Sequence, residues 1–88
     1  MEIIGRIGEP AALEQLAEEC SECAHEALKL ARIMRDENPT PVTEQDARRA
    51  LAEEIRDINN SVYVLGMMCG VDWDKLNRWQ DRLDAANK

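Results

Sequence analysis

Phenylalanine is absent from this chain of 88 residues, glycine occurs four times and proline three. What remains is dominated by Ala, Leu and Glu, the composition of helices. A basic excess is also missing. Eighteen acids against eleven Lys and Arg leave a formal net charge of −7. That argues against a sequence-independent grip on nucleic acid, which needs a basic face, and against adsorption to an anionic membrane. No apolar run approaches the length of a transmembrane helix. The N-terminus, MEIIGRIGEP, lacks the apolar stretch of a signal peptide. Three cysteines (Cys20, Cys23, Cys69) do not make a disulfide framework and fit a reducing compartment, so the expectation is a cytoplasmic protein. A core of this size is marginal alone, and oligomerisation is a common remedy.

The chain reads as one all-α domain over residues 1–88. Gly5, Gly8 and Pro10 punctuate its start, and Pro10 suits a first helical turn. From there Leu13, Leu16, Cys20, Cys23, Ala27, Leu28, Ala31 and Met34 recur at three- and four-residue steps, which predicts a helix over about 10–36. The segment NPTPVT (38–43) is a turn signal, and Thr43 followed by Asp46 resembles a capping box. Ala47, Leu51, Ile55, Ile58, Val62, Leu65, Met68 and Cys69 predict a second helix over about 43–69, with Gly70 as its cap. Asp72 can cap a third helix, about 73–86, carrying Trp73, Leu76, Trp79 and Leu83. The expected architecture is a long antiparallel hairpin plus a short C-terminal helix, assembling into a helical bundle as a homo-oligomer.

Two acidic motifs interrupt the apolar series, EECSE at 18–22 and EEIRD at 53–57. An α-helix turns about 100° per residue. With Cys20 at the centre of the first stripe, Glu19 lies about 100° and Glu22 about 160° to one side. With Leu51 at the centre of the second, Glu54 lies about 60° and Asp57 about 120° to the same rotational side. Antiparallel packing puts both pairs on one edge of the hairpin. Counted from a turn near residue 39 at about 1.5 Å rise per residue, the pairs agree in height to within about 5 Å. Four carboxylates so gathered repel unless neutralised, and a hard divalent cation is the natural neutraliser. Glu22 looks furthest from the seam, so some rotation or a second subunit is needed to complete the site.

QLAEECSE (15–22), ALKLAR (27–32) and LAEEIRDI (51–58) resemble the MazG-like nucleotide pyrophosphohydrolases, in particular their short phage and bacterial forms. The resemblance covers roughly residues 10–76, and rests on the order and spacing of an E-x-x-E and an E-x-x-D motif. Arg56, Asn59 and Asn60 depart from the family's usual pattern. The resemblance implies a homodimer or a dimer of dimers that hydrolyses an NTP or dNTP to the monophosphate and pyrophosphate with Mg²⁺, or Mn²⁺ as substitute. It implies Glu19, Glu22, Glu54 and Asp57 as metal ligands, with Glu19 or Glu22 also handling the attacking water. Basic residues must meet the phosphates, and the candidates are Lys29, which could instead pair with Glu26, and Lys75, Arg78 and Arg82 of the tail helix. A second reading is a non-catalytic oligomerisation or interaction module that retains the fold.

Other patterns point to plainer roles. Cys20-x-x-Cys23 near His25 has the spacing of zinc ligands, but four converging donors are lacking, and core cysteines are expected. Glu22-x-x-His25 matches a di-iron bundle motif, yet His25 points away from the stripe and is expected to be exposed. Trp73 and Trp79, at helical spacing beside Leu76 and Leu83, are expected in a core or interface, although either could stack on a base.

Overall fold

The computed structural model describes residues 2–38 and 41–87. Four helices follow one another: α1 (Ile3–Ile7), α2 (Glu9–Met34), α3 (Glu44–Val64) and α4 (Trp73–Ala86). Helices α2 and α3 pack antiparallel along their lengths as a hairpin, and α1 folds against α2. The expected turn at 38–43 includes Pro39 and Thr40, which lie outside the described residues.

The helix starts form as the sequence predicts. Thr43 Oγ1 accepts from the Asp46 N–H at 3.1 Å, and Asp72 Oδ1 accepts from the Lys75 N–H at 2.9 Å. Each side chain satisfies an amide that has no partner within its helix. Pro10 stands in the first turn of α2. The short α1 was not expected from periodicity. It ends at Gly8, whose φ of 86° turns the chain straight into α2.

The second helix ends earlier than expected, at Val64 rather than near 69, and Gly66 rather than Gly70 closes it. Gly66 has φ 69°. The Gly66 N–H donates to Tyr63 O and the Met67 N–H to Val62 O, both at 3.0 Å. This is the two-bond Schellman closure, which needs a left-handed residue after the cap. Helix α2 ends the same way with Asp36 (φ 55°) in that role, its N–H on Ile33 O and the Glu37 N–H on Arg32 O.

The seam differs in phase from the sequence expectation. On α2 it is lined by Ala12, Leu16, Glu19, Cys23, Glu26 and Leu30, and on α3 by Ala47, Leu51, Glu54, Ile58 and Ser61, with Leu65 just past its end; all are buried or half-buried. Both series step by four and three residues, the spacing of helices packed side by side. Cys20, expected at the stripe centre, is exposed, as are Leu13, Leu28 and Met34. The expectation of core cysteines therefore fails for Cys20 and Cys69, both exposed, and only Cys23 is half-buried. The seam contains two glutamates on α2 and one on α3, so its apolar content is small: among the described residues only Ala12, Leu30, Ala47 and Leu65 are buried.

Helix α4 packs along neither α2 nor α3. Trp73 and Trp79 are 69% and 52% exposed, so they form no core within this chain. The molecule measures 50 × 39 × 18 Å, and its radius of gyration of 17.0 Å exceeds the ~12 Å of a compact domain of this length. No described helix is long and apolar enough to cross a membrane.

Candidate metal centre

The antiparallel hairpin brings the two acidic motifs to one level. Glu19, Glu22 and Glu54 each present a carboxylate oxygen, and the three oxygens lie within 4.8 Å of one another. Glu19 and Glu54 sit half-buried in the seam and Glu22 is exposed at its edge. The expectation that Glu22 is the outlying ligand is corrected by the shift in phase. With Glu19 facing α3, Glu22 stands only about 60° from the seam. Asp57 is the one of the four that lies outside the trio; its side chain is a methylene shorter than a glutamate's. It is exposed on the next turn of α3, near enough for its charge to act on Glu54.

The seam withdraws water without supplying cations. Glu19 Oε1 accepts a hydrogen bond from Gln15 Nε2 at 2.7 Å. Glu19 Oε2 and Glu54 Oε2 are inaccessible to solvent and have no hydrogen-bond partner. Among the described residues no Lys or Arg forms an ion pair with any of the three acids; Arg56, the nearest in sequence, faces Glu53 at 3.8 Å. Burial raises the Glu54 pKa above the ordinary glutamate value, and the nearby Glu22, Glu19 and Asp57 charges raise it further. Each of these causes disfavours the ionised carboxylate. A carboxylate placed among others away from water is held at a cost that a bound cation removes.

The donor set suits a hard divalent ion. All three donors are carboxylate oxygens, the ligand type that Mg²⁺ and Mn²⁺ take. Oxygens about 2.1 Å from one octahedral ion are about 3.0 Å apart when adjacent and about 4.2 Å when opposite, so three oxygens within 4.8 Å of one another must draw together to share one ion. Two inaccessible oxygens without partners are what such an ion would satisfy. Cys20, Cys23 and His25 join no such grouping, and His25 is exposed as expected.

The expected phosphate-binding residues are not gathered here within one chain. Lys29 is half-buried on α2, ten residues beyond Glu19, and forms no ion pair with Glu26 among the described residues. Lys75 and Arg78 are exposed on α4, the helix that stands off the hairpin. Two neighbours of the cluster escaped the sequence reading. Gln15 orients Glu19, and its position one turn ahead of an acidic seam residue is the signal that could have singled it out. Arg49 lines an open groove with Asp46, Ala50, Glu53 and Glu54, and its guanidinium lies 3.7 Å from Asp46. On the other side, Gln15 also lines a cleft of about 130 Å³ between α1 and the hairpin, with Ile3, Ile7, Asn60 and Ser61.

No protein-family model matches the chain, and neither a curated protein nor a solved structure matches it.

Proposed function

We propose that this chain is a Mg²⁺-dependent nucleoside triphosphate pyrophosphohydrolase, releasing pyrophosphate from an NTP or dNTP. The observation that carries the reading is the convergence of Glu19, Glu22 and Glu54 from two helices, with solvent-inaccessible oxygens that no cationic side chain neutralises. The resemblance of the two acidic motifs to those of the MazG-like enzymes supplies the reaction class.

Glu19, Glu22 and Glu54 would hold the ion, with Asp57 as a further carboxylate on its open side. Bound there, Mg²⁺ would neutralise the acids, meet phosphate oxygens and acidify a coordinated water. The chain's own residues do the rest. Gln15 restrains the Glu19 carboxylate by the hydrogen bond to Oε1. Glu22, exposed at the edge, has the access to take a proton from an attacking water at its carboxylate. Glu19 is the other candidate for that proton. The acidic surface would otherwise repel a polyphosphate, so substrate and cation enter as a complex. Arg49, which lines the groove with Glu54, is suited to the departing pyrophosphate, whereas Lys29 lies about 15 Å beyond Glu19 along α2. Lys75 and Arg78 can join Arg49 only if α4 is brought over a hairpin, its own or a second copy's. The cleft beside Gln15, apolar on one wall and lined by amide and hydroxyl groups on the other, would receive the nucleoside.

A second reading, a non-catalytic interaction module, is favoured by the amount of apolar side chain left exposed, from Leu28 at 62% to Trp73 at 69%. A panel of ribo- and deoxyribonucleoside triphosphates incubated with Mg²⁺ and assayed for pyrophosphate separates the two. The enzyme reading expects release with at least one substrate, abolished by Glu54→Gln. No release from any member of the panel leaves the module reading in place.

A further inference from the structure

The cleft between α1 and the hairpin continues the line of the carboxylates. On α2, Ala12, Gln15, Glu19 and Glu22 follow one another at steps of three, four and three residues. On α3, Asp57, Ser61 and Val64 step by four and three. Residues so spaced share a helix face, so the cleft and the cluster occupy one edge of the hairpin. Gln15 stands one turn, about 6 Å, from Glu19 and donates to it, and Ser61 stands one turn from Asp57. A nucleotide whose phosphates meet a cation on the trio therefore has its uncharged end beside the cleft, one sugar away.

The lining sets the chemistry of that end. No Lys, Arg, Asp or Glu lines the cleft, although the chain as a whole carries −7. The group it receives is thus neutral. Ile3, Ile7 and Val64 form its apolar part, and β-branched side chains are stiff at χ1. Gln15, Asn60 and Ser61 bring amide and hydroxyl groups, which both donate and accept, as the edge of a base requires. No aromatic residue lines the cleft. Stacking on a ring tolerates every base, because each has a π face. Without such a platform, size and edge decide which base is held.

Size is the sharper criterion. The cleft measures about 130 Å³. A cavity of about 150 Å³ takes up one benzene molecule, so the cleft holds a single six-membered ring. A purine adds a fused second ring that this volume does not accommodate. We propose that the cleft between α1 and the hairpin is a subsite for a pyrimidine base, and that the substrates are cytosine, uracil or thymine nucleoside triphosphates in preference to purine ones. This rests on the pyrophosphohydrolase reading of the adjoining carboxylates.

Two measurements distinguish a failure of the subsite from a failure of that reading. The first is kcat/KM for pyrophosphate release from CTP, UTP, dCTP and dTTP against ATP, GTP, dATP and dGTP, with Mg²⁺. The expected result is a preference for the pyrimidines of about tenfold or more. Ile7→Ala, which widens the cleft, should cut that preference by about tenfold through faster turnover of purines. Ile55→Ala, on the other edge of the hairpin by helical phase and 46% exposed, should leave it unchanged. Ile3→Ala replaces Ile7→Ala if the latter loses the wild-type helical circular dichroism. The second measurement needs neither ion nor turnover. The side-chain amide NMR signals of Gln15 and Asn60 are followed as cytidine, uridine or adenosine is added, and both should shift with the pyrimidine nucleosides at concentrations where adenosine leaves them in place. Purine triphosphates turned over as well as pyrimidine ones overturn the subsite and leave the enzyme standing, as does a preference that neither widening variant moves. No release from any triphosphate overturns the enzyme reading instead, and the nucleoside titration then decides the subsite. Shifts confined to cytidine and uridine uphold it, and no shifts, or equal shifts with adenosine, overturn it.

Discussion

Glu26 offers a perturbation whose outcome follows from the phase of the seam. It stands one heptad beyond Glu19 on the same line of α2, half-buried, with Oε2 inaccessible to solvent and unpartnered. Unlike Glu19, it is not part of the carboxylate trio. A buried polar atom left without a partner costs about 1–3 kcal/mol. Glu26→Leu removes that cost and supplies an apolar side chain of similar length. Unfolding entropy near 2.1 cal/mol/K per residue gives about 0.18 kcal/mol/K for a chain of 88 residues, so 1 kcal/mol moves Tm by about 5 °C. Glu26→Leu should therefore raise Tm by about 5–15 °C. The assay is thermal melting followed by circular dichroism, in chelator, at one fixed protein concentration. Added Mg²⁺ should raise the variant's Tm further, and the wild type's likewise. An unchanged or lower Tm in chelator would refute the placement of Glu26 in the seam. A raised Tm with the response to Mg²⁺ lost would mean that Glu26 belongs to the cation site.

Other perturbations probe the same framework. Glu54 has its pKa raised in the folded chain, so between the ordinary glutamate value and the raised one the folded state holds more proton than the unfolded state, and stability falls as pH rises through that window. The metal-free wild type should thus lose stability on going from mildly acidic to neutral pH, and Glu54→Gln should flatten that part of the profile in melts run with chelator. Leu30, 7% exposed at the turn end of the seam, is among the few buried apolar side chains, and Leu30→Ala should cost about 2–5 kcal/mol in denaturant titrations. Thr43→Ala removes the acceptor that caps α3 and should cost about 1 kcal/mol by the same assay.

The existence of the three long helices was legible because their apolar steps of three and four have no competing period. Their starts were legible because Thr43, Asp72 and Pro10 are residue types with one strong local use. The end of α3 was misplaced because two glycines, Gly66 and Gly70, could each close it, and only the backbone distinguishes the one that turns left-handed. The five-residue α1 is too short to show a period. The most consequential miss was the phase of α2. Its two heptad series differ by one residue, and hydropathy ranks the Leu13–Met34 series above the one containing Glu19 and Glu26. The chain instead turns the acid-bearing series toward α3. Apolar content alone could not reveal this, because the more apolar face is the one left mostly exposed. The same shift explains the carboxylates: their common level was readable by counting from the turn, whereas the closeness of Glu22 and the displacement of Asp57 depend on a rotation that counting does not fix.

The central claim is that Glu19, Glu22 and Glu54 form one divalent-cation site. Isothermal titration of the chelator-stripped protein with Mg²⁺, repeated with Mn²⁺, tests it most directly, with Glu19→Gln and Glu54→Gln alongside. The account predicts one ion per carboxylate trio in the wild type, binding weakened by tenfold or more in either variant, and a stability gain of about 2.7 kcal/mol at a Mg²⁺ concentration a hundred times Kd. Binding that is absent from the wild type, or unchanged in both variants, would contradict it.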